Sequence, residues 1–119
     1  MGKYVVNKTN TGFNFYLKSS NGEVIATSEV YTGKKACLNG IASVGKNAPV
    51  AEIEDQTKEG YKKAKCPKFE VYNDKKGEAR FRLIAKNGKN ICHSEGYTTL
   101  KACLNGVNSV KKNAGSKVE

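Results

Sequence analysis

The sequence is poor in several residue types and patterns, and each shortage excludes a class of protein. It has no tryptophan, two prolines and one histidine in 119 residues. No run of about 18 apolar residues occurs, so a transmembrane helix is not expected. Residues 1–6 lack the apolar core of a signal peptide, and Val6 stands where a myristoylation motif needs Ser or Thr. We therefore expect a cytoplasmic protein with no membrane partner.

Recognisable spacings for metal, thiol or phosphate chemistry are also missing. The cysteines at 37, 66, 92 and 103 form no Cys-x-x-Cys pair, and without an export signal they are expected to be reduced thiols. The single His93 excludes a site with two histidines, while Cys66, Cys92 and His93 lack zinc spacing and a fourth ligand. Glycine-rich phosphate loops are absent. No cofactor or metal is expected.

Negative charge is scarce in one half of the chain. The net charge is +10, of which residues 1–60 carry +1 and residues 61–119 carry +9. Such an asymmetry bears on binding partners and solubility rather than on fold.

An internal repeat is the strongest positive feature. When the chain is shifted by 66 residues, residues 15–48 match residues 81–114 at 20 of 34 positions. Upstream the shift is 65, so one copy has an additional residue just after Gly77, where a hairpin loop tolerates it. We assign repeat one to 3–54, a linker to 55–66 and repeat two to 67–119, within a single domain spanning 1–119.

Each copy begins with three short β-type runs. In repeat two these are residues 69–72, 79–86 and 90–95, and Asn87-Gly88 separates the last two. Asn-Gly between apolar runs favours a type I′ hairpin turn, and Asn21-Gly22 repeats the signal in the first copy. Alternation in the middle strand turns Phe81 and Leu83 inward. The sheet is therefore predicted to have one apolar face.

A helix follows the strands in each copy. Thr32 and Thr98 are candidate N-caps, and Asn47 and Asn113 are expected to end the helices in the left-handed conformation. Apolar residues recur at helical spacing, so we expect them in the core; they are Cys37, Leu38, Ile41, Val44 and Cys103, Leu104, Val107, Val110. Gly40 and Gly106 imply a close approach to the sheet or to the other helix.

The segment between the copies combines a short alternating run with a charged stretch. Residues 50–54 alternate in polarity and could form an additional strand, whereas residues 55–65 are charged and indicate a solvated linker. Glu52, Glu54 and Asp55 are interpreted as solubilising residues of this linker.

The repeated motif resembles a known family. In both copies Asn-Gly is followed by Ile, then Ser-Glu, Tyr-Thr, Lys-Ala-Cys-Leu-Asn-Gly, Ser-Val and Lys-Asn-Ala. This pattern is similar to the YegP-like family of small bacterial proteins. The resemblance implies two β3-α-β units in one antiparallel sheet, with the strand after each helix exchanged to the other unit. It implies no reaction. The second copy has no equivalent of residues 50–54, so its exchanged strand is expected to be short or frayed.

The duplication sorts candidate residues by role. Ser28/Ser94, Glu29/Glu95 and Tyr31/Tyr97 occur in both copies and are best explained by fold maintenance, since a unique active site rarely needs two sets. Cys92 and His93 have no counterpart of the same type in the other copy. Neighbours on a strand point to opposite faces, however, so these two cannot form a thiol–base pair. We expect no enzyme.

Basic residues of repeat two form one candidate binding surface. They are Arg80, Arg82 and Lys86 on one strand face and Lys75 and Lys76 at the adjoining loop, with the ring of Tyr72 beside them. Cations around an exposed ring are typical of single-stranded nucleic-acid binding, whereas lysines at a sheet face can equally prevent aggregation.

These observations predict an α+β fold in which two tandem β3-α(-β) repeats form one antiparallel sheet with two helices on one face and pseudo-twofold symmetry. The leading hypothesis is a non-enzymatic module that binds a protein or small ligand through the sheet face or the pseudo-twofold cleft. Weak, sequence-tolerant nucleic-acid binding by the basic repeat is the alternative, and an enzyme is the least favoured reading. A monomer with an internal pseudo-dimer is expected.

Overall fold

The computed structural model describes residues 2–119, which contain eight strands and two helices. Repeat one has β1 (Lys3–Lys8), β2 (Phe13–Lys18), β3 (Val24–Ser28), α1 (Lys34–Asn47), a short 3₁₀ helix (Ala48–Val50) and β4 (Glu52–Asp55). Repeat two has β5 (Lys68–Asn73), β6 (Ala79–Ile84), β7 (Asn90–His93), α2 (Leu100–Asn113) and β8 (Lys117–Val118). Each copy therefore has the three strands and the helix that the repeat predicts.

All eight strands form one sheet, in the order β4-β5-β6-β7-β3-β2-β1-β8. The inner six strands pair antiparallel. The outermost pairs, β4 with β5 and β8 with β1, are parallel. The strand after each helix thus lies beside the first strand of the other repeat, as the family resemblance implies. The α+β fold is confirmed, with the correction that the sheet is mixed; β8 forms over only two residues.

The two repeats meet at the centre of the sheet, where β3 pairs with β7. Thr27 lies opposite His93 in this pair. The two residues are 66 positions apart and are therefore equivalent in the two copies. The pseudo-twofold axis passes between them.

Both helices cover the same face of the sheet and enclose one hydrophobic core. α1 packs on β1, β2 and β7, whereas α2 packs on β3, β5 and β6, so each helix contacts strands of both repeats. The sheet contributes side chains with no exposed surface, in equivalent pairs: Tyr4 and Phe69, Phe15 and Phe81, Leu17 and Leu83. The inward orientation predicted for Phe81 and Leu83 is confirmed. Neither repeat has a separate core.

The glycines inside the helices are explained by a tyrosine in each copy. The ring of Tyr31 stacks on Phe15, and that of Tyr97 stacks on Phe81. A Cβ atom at Gly40 would lie 2.7 Å from Cζ of Tyr31, and one at Gly106 would lie 2.9 Å from Cζ of Tyr97. Each helix therefore lies against a tyrosine ring. The sequence predicted a close approach at these glycines but did not identify the tyrosine as its partner.

The predicted helix core was wrong at the leucines. Leu38 is 39% exposed, and Leu104 is only partly buried. The buried stripe of α1 consists of Cys37, Gly40, Ile41, Val44 and Asn47. Because Gly40 lets the helix backbone lie close to the tyrosine, the buried stripe is centred on Gly40 and its apolar neighbours, and Leu38 lies at the edge. The two leucines are not equivalent core residues.

The predicted helix caps were also shifted. The N-cap residues are Gly33 and Thr99, one position later than Thr32 and Thr98, and the Thr99 hydroxyl accepts a hydrogen bond from Ala102 N. Asn47 and Asn113 do end the helices, but neither has positive φ. Their amides instead connect the repeats, since Lys86 N donates to Asn47 Oδ1 and Gly2 N donates to Asn113 Oδ1.

The Asn-Gly turns differ from the predicted type I′ geometry. Only glycines have positive φ within residues 2–119, including Gly22 and Gly88. In repeat two Gly88 N donates to Ala85 O and Ala85 N donates to Lys89 O, each at 2.8 Å. This is a type I turn closed by a left-handed glycine. Asn87 is the third residue of this turn, where φ is negative, and its side chain accepts from Lys89 N at 3.0 Å.

The shared core predicts one unfolding transition. We expect Leu17→Ala and Leu83→Ala each to lower the free energy of unfolding by ~2–5 kcal/mol, because both side chains are fully buried. Leu38→Ala is the matched control and should cost less than ~1 kcal/mol, since the side chain is partly solvated. Chemical denaturation followed by circular dichroism measures all three, and two separate transitions would contradict the shared core.

Candidate binding surface on the open sheet face

The face of the sheet opposite the helices, here called the open face, carries one continuous row of side chains. Strand pairing aligns its members across seven strands. In order they are Glu54, Glu70, Arg82, His93, Thr27, Tyr16 and Val5. Their strand neighbours point to the helix side, because side chains alternate along a strand.

The two copies share most residues of the helix face and differ along the row of the open face. On the helix side, Phe15 matches Phe81 and Leu17 matches Leu83. On the open side the equivalent positions around the axis carry unlike residues: Val5 and Glu70, Tyr16 and Arg82, Thr27 and His93. The fold therefore requires the apolar face twice but places no such demand on the row of the open face.

The arginines predicted to bind nucleic acid are engaged by carboxylates. Arg82 Nε lies 2.5 Å from Glu70 Oε1, and its guanidinium carbon lies 4.4 Å from the centre of the Tyr72 ring. Arg80 Nε lies 2.7 Å from Asp74 Oδ2. The hydrogen bond from Arg80 holds the pKa of Asp74 below its usual value. These arginines are not free cations, and one face of Tyr72 is covered.

The remaining predicted residues lie elsewhere. Lys75 and Lys76 are exposed in the turn between β5 and β6. Lys86 was wrongly placed on the strand face, because β6 ends at Ile84 and the register shifts between Leu83 and Ile84. Lys86 is exposed in the following turn, where its backbone N–H bonds to the end of α1. The six residues do not form one surface.

A buried carboxylate extends this ion-pair network to the sheet edge. The Glu54 side chain is 1% exposed and lies 2.9 Å from Lys68 Nζ, which lies 3.2 Å from Glu70 Oε2. Burial raises the pKa of Glu54, but hydrogen bonds from Gln56, Lys68 and Ala64 outweigh it and hold that pKa below its usual value. Glu54 is thus a structural ion, not the solvated linker residue that was predicted.

The linker itself is folded onto the open face. Ala64 N donates to Glu54 Oε1 at 2.7 Å and Thr57 N donates to Asp55 Oδ1 at 3.0 Å. We call residues 56–67 the strap. Sequence reasoning missed Glu54 and Glu70 as partners, although the hairpin register that pairs Glu70 with Arg82 was available from the turn position.

Ser28 and Ser94 have the structural role that their duplication suggests. The Ser28 hydroxyl accepts from Phe15 N at 2.8 Å and donates to Glu29 O, and Ser94 repeats both bonds with Phe81 N and Glu95 O. Both side chains are buried. They satisfy backbone groups that the strand pairing leaves without partners.

The cysteines and the histidine do not form a reactive pair. Cys92 faces the core, whereas His93 lies on the open face 3.9 Å from Glu29 Oε1. Burial raises the pKa of Cys92 to about 12 and that of Cys103 to about 11, and it also raises the pKa of Cys37. All four cysteines are free thiols, and Cys66 alone is partly exposed. Three of the thiols are therefore held in the unreactive protonated form.

Three shallow clefts lie between each helix and the hairpin of the other repeat. One of about 540 Å³ is lined by residues 19–21 and the end of α2. Two of about 290 and 210 Å³ lie between α1 and residues 85–91. Serine, asparagine and lysine form most of the lining of the first and the third, whereas Tyr31, Ala85 and Ile91 contribute to the second. Within residues 2–119 no three potential metal ligands cluster, and neither helix is long and apolar enough to cross a membrane.

Comparisons with known proteins agree with the duplicated architecture. The family described as Domain of unknown function (DUF1508) matches residues 9–55 and 74–118, one segment in each repeat. The chain belongs to the DUF1508 family. UPF0339 protein YegP of Yersinia pestis is 40% identical over 99% of this chain and 93% of its own length. A UPF0339 protein of Bordetella pertussis is 39% identical over 95% of this chain and 88% of its own length.

Two solved structures share the fold. The solution structure of yegP from E. coli, a protein of unknown function, superposes with a TM-score of 0.78 at 34% identity. That of a UPF0339 protein from Shewanella oneidensis gives 0.78 at 33% identity. Each comparison covers 98% of this chain and 89% of the other. The YegP-like resemblance is confirmed, and these relatives are themselves uncharacterised.

The raised thiol pKa values predict loss of stability at alkaline pH. Cys92 ionises near its usual value of 9.0 when unfolded but near 12 when folded, so its contribution is complete below pH 9.0 and declines as pH rises toward 12. We expect Cys92→Ala, which introduces the residue found at equivalent position 26, to reduce the fall in unfolding free energy above pH 9.0. Cys66→Ala is the control. Equal pH dependence in wild type and Cys92→Ala would contradict the assignment.

Proposed function

We propose that this protein is a non-enzymatic binding module that engages a partner protein through the open face of its sheet. The observation that carries the proposal is the divergence of the two copies along the central row of that face, where the equivalent pairs Val5/Glu70, Tyr16/Arg82 and Thr27/His93 are all unlike. Residues needed for folding are duplicated, whereas Tyr16, Thr27, Arg82 and His93 are not. The ion pair with Glu70 accounts for Arg82 within the chain, whereas a contact outside the chain is the reason we propose for Tyr16 at the equivalent position.

The electrostatics of the open face support a protein partner. A charge that becomes buried without a counter-ion is costly, and truncating one member of a buried pair strongly destabilises. Here Arg82 is already paired with Glu70, and Glu70 with Lys68, within the chain. A partner covering this face would therefore not need to supply a counter-ion for each of them. The same pairing weakens the case for nucleic acid at Arg80 and Arg82, since phosphates would have to displace carboxylates.

The residue types of the open face also suit protein recognition. Tyrosine and arginine contribute disproportionately to binding energy at interfaces. Tyr16 and Tyr72 are half-buried in the face, and Arg82 is held over Tyr72 by Glu70. Side chains fixed in this way lose little freedom on binding. The open face is thus the best organised surface available for a partner.

The clefts support a small ligand less well. Ligand sites usually enclose about 300–1,000 Å³ and are mainly apolar. The clefts between the helices and the opposite hairpins are shallow and open to solvent, and the asparagines at the helix ends, which line two of them, already bond to the backbone. We therefore place the proposed site on the sheet.

The proposed absence of catalysis rests on the side chains that would have to react. The buried thiols are held protonated, and Cys92 and His93 lie on opposite faces of the sheet. We also propose that the protein acts in the cytoplasm as a monomer with an internal pseudo-dimer, since its four cysteines are free and that compartment keeps thiols reduced.

Affinity capture from a native lysate tests the proposed surface. We compare wild type with Tyr16→Ser and Arg82→Ser on the open face, and with Asn39→Ser on the exposed side of α1 as the control. At least one protein should be retained by wild type and by the control but depleted about tenfold or more with both open-face variants. If no protein follows this pattern while all variants remain folded, the open face is not the binding surface.

A further inference from the structure

We propose that the strap, residues 56–67, is a binding site for single-stranded nucleic acid, with Tyr61 as the base-stacking residue. The strap carries four exposed lysines around one exposed tyrosine: Lys58, Lys62, Lys63 and Lys65 around Tyr61, which is 40% exposed. Its one glutamate is Glu59. Cations that contact phosphates, together with a ring on which a base stacks, are how proteins hold single strands without reading sequence.

The strap presents these side chains from a fixed backbone. Ala64 N donates to the buried carboxylate of Glu54, and Thr57 N donates to Asp55. Lys58 Nζ lies 4.0 Å from Asp55. Because both ends of the lysine-rich stretch are anchored to β4, ordering the strap costs little when a ligand binds.

The acidic groups beneath the strap are already neutralised. Glu54 and Glu70 flank Lys68 at 2.9 and 3.2 Å, and Glu70 also binds Arg82. These carboxylates therefore oppose the positive potential of the strap lysines only weakly. The contrast with Arg80 and Arg82 is direct, since those cations are held by carboxylates and the strap lysines at 62, 63 and 65 project into solvent.

The first repeat indicates that the strap is not required to form the ion pair below it. Lys3 and Glu119 occupy positions equivalent to Lys68 and Glu54 and lie 2.6 Å apart, with their side chains 45% and 61% exposed. The same pair thus forms at the opposite edge of the sheet, between β1 and the end of the chain, while largely exposed. Covering the ion pair does not account for a strap rich in lysine, so its exposed residues are available for another role.

Fluorescence anisotropy with a labelled oligothymidylate of about 15 nucleotides tests the site. The variants are a strap triple, Lys62→Ser with Lys63→Ser and Lys65→Ser, and a control triple of equal charge at exposed helix positions, Lys34→Ser with Lys35→Ser and Lys101→Ser. The strap triple should weaken binding on the order of tenfold and reduce the slope of log affinity against log salt by about 2, since each phosphate contact contributes about 0.7. The control triple should change affinity by less than about threefold.

Changes at the ring separate stacking from charge. Tyr61→Ala should weaken binding roughly fivefold or more, whereas Tyr61→Phe should retain it. Tyr16→Ser, on the open face, should leave oligonucleotide affinity unchanged, so failure here is distinguishable from failure of the proposed protein-binding surface. Equal losses in the two triples, no binding at roughly 50 mM salt, or equal affinity for polyglutamate or for anionic phosphatidylserine vesicles would overturn the assignment.

Discussion

The exchange of one strand between the repeats is the constraint on which the rest of the structure depends. A three-stranded meander with one helix leaves both sheet edges and much of its apolar face exposed. Here β3 pairs with β7, β4 adds to β5, and β8 adds to β1. Each pairing joins one repeat to the other, and each helix consequently packs on strands of both. The core is continuous because the sheet is.

This arrangement separates residues that hold the fold from residues that are free to differ. The helix face needs the same aromatic and aliphatic side chains twice, and the inward serines at 28 and 94 repeat the same hydrogen bonds. On the opposite face the equivalents diverge, so Tyr16 faces solvent in one repeat where Arg82 forms an ion pair in the other. A symmetric scaffold thus supports an asymmetric surface. Both proposed binding sites lie on that asymmetric side.

Much of the fold could be predicted from the sequence because the same pattern of apolar residues and turns occurs in both copies. The strands, the helices, the inward orientation of Phe81 and the strand after α1 were all predicted, and the exchange was implied by the family resemblance. Turn and cap details were not, since an Asn-Gly pair is compatible with two hairpin geometries and a threonine pair offers two N-caps. Leu38 was misplaced because helical spacing alone does not show which edge of the apolar stripe stays exposed, and here the close approach of Gly40 to Tyr31 leaves Leu38 at that edge.

The surface was less predictable than the core. The charge pattern of the sequence identified Arg80 and Arg82 as candidate binding residues. It did not predict their ion pairs with Asp74 and Glu70, because these depend on how the strands and the turn are arranged. The sequence alone indicates that Glu54 is a solvated linker residue. In the structure the linker folds back over it and Ala64 N donates to its carboxylate. Charge composition reports which residues are ionised, whereas their availability to a ligand is set by neighbours that can be distant in sequence, as Glu54 is from Lys68 and Glu119 is from Lys3.

The most direct test of the shared sheet is the behaviour of repeat one alone. Expressed as residues 1–56, it lacks the strands that pair with β3 and β4. Light scattering combined with thermal circular dichroism should find it either unfolded or associated into dimers that rebuild the sheet. A compact monomer that melts cooperatively would mean that each repeat closes its own core, and the account given above would be wrong.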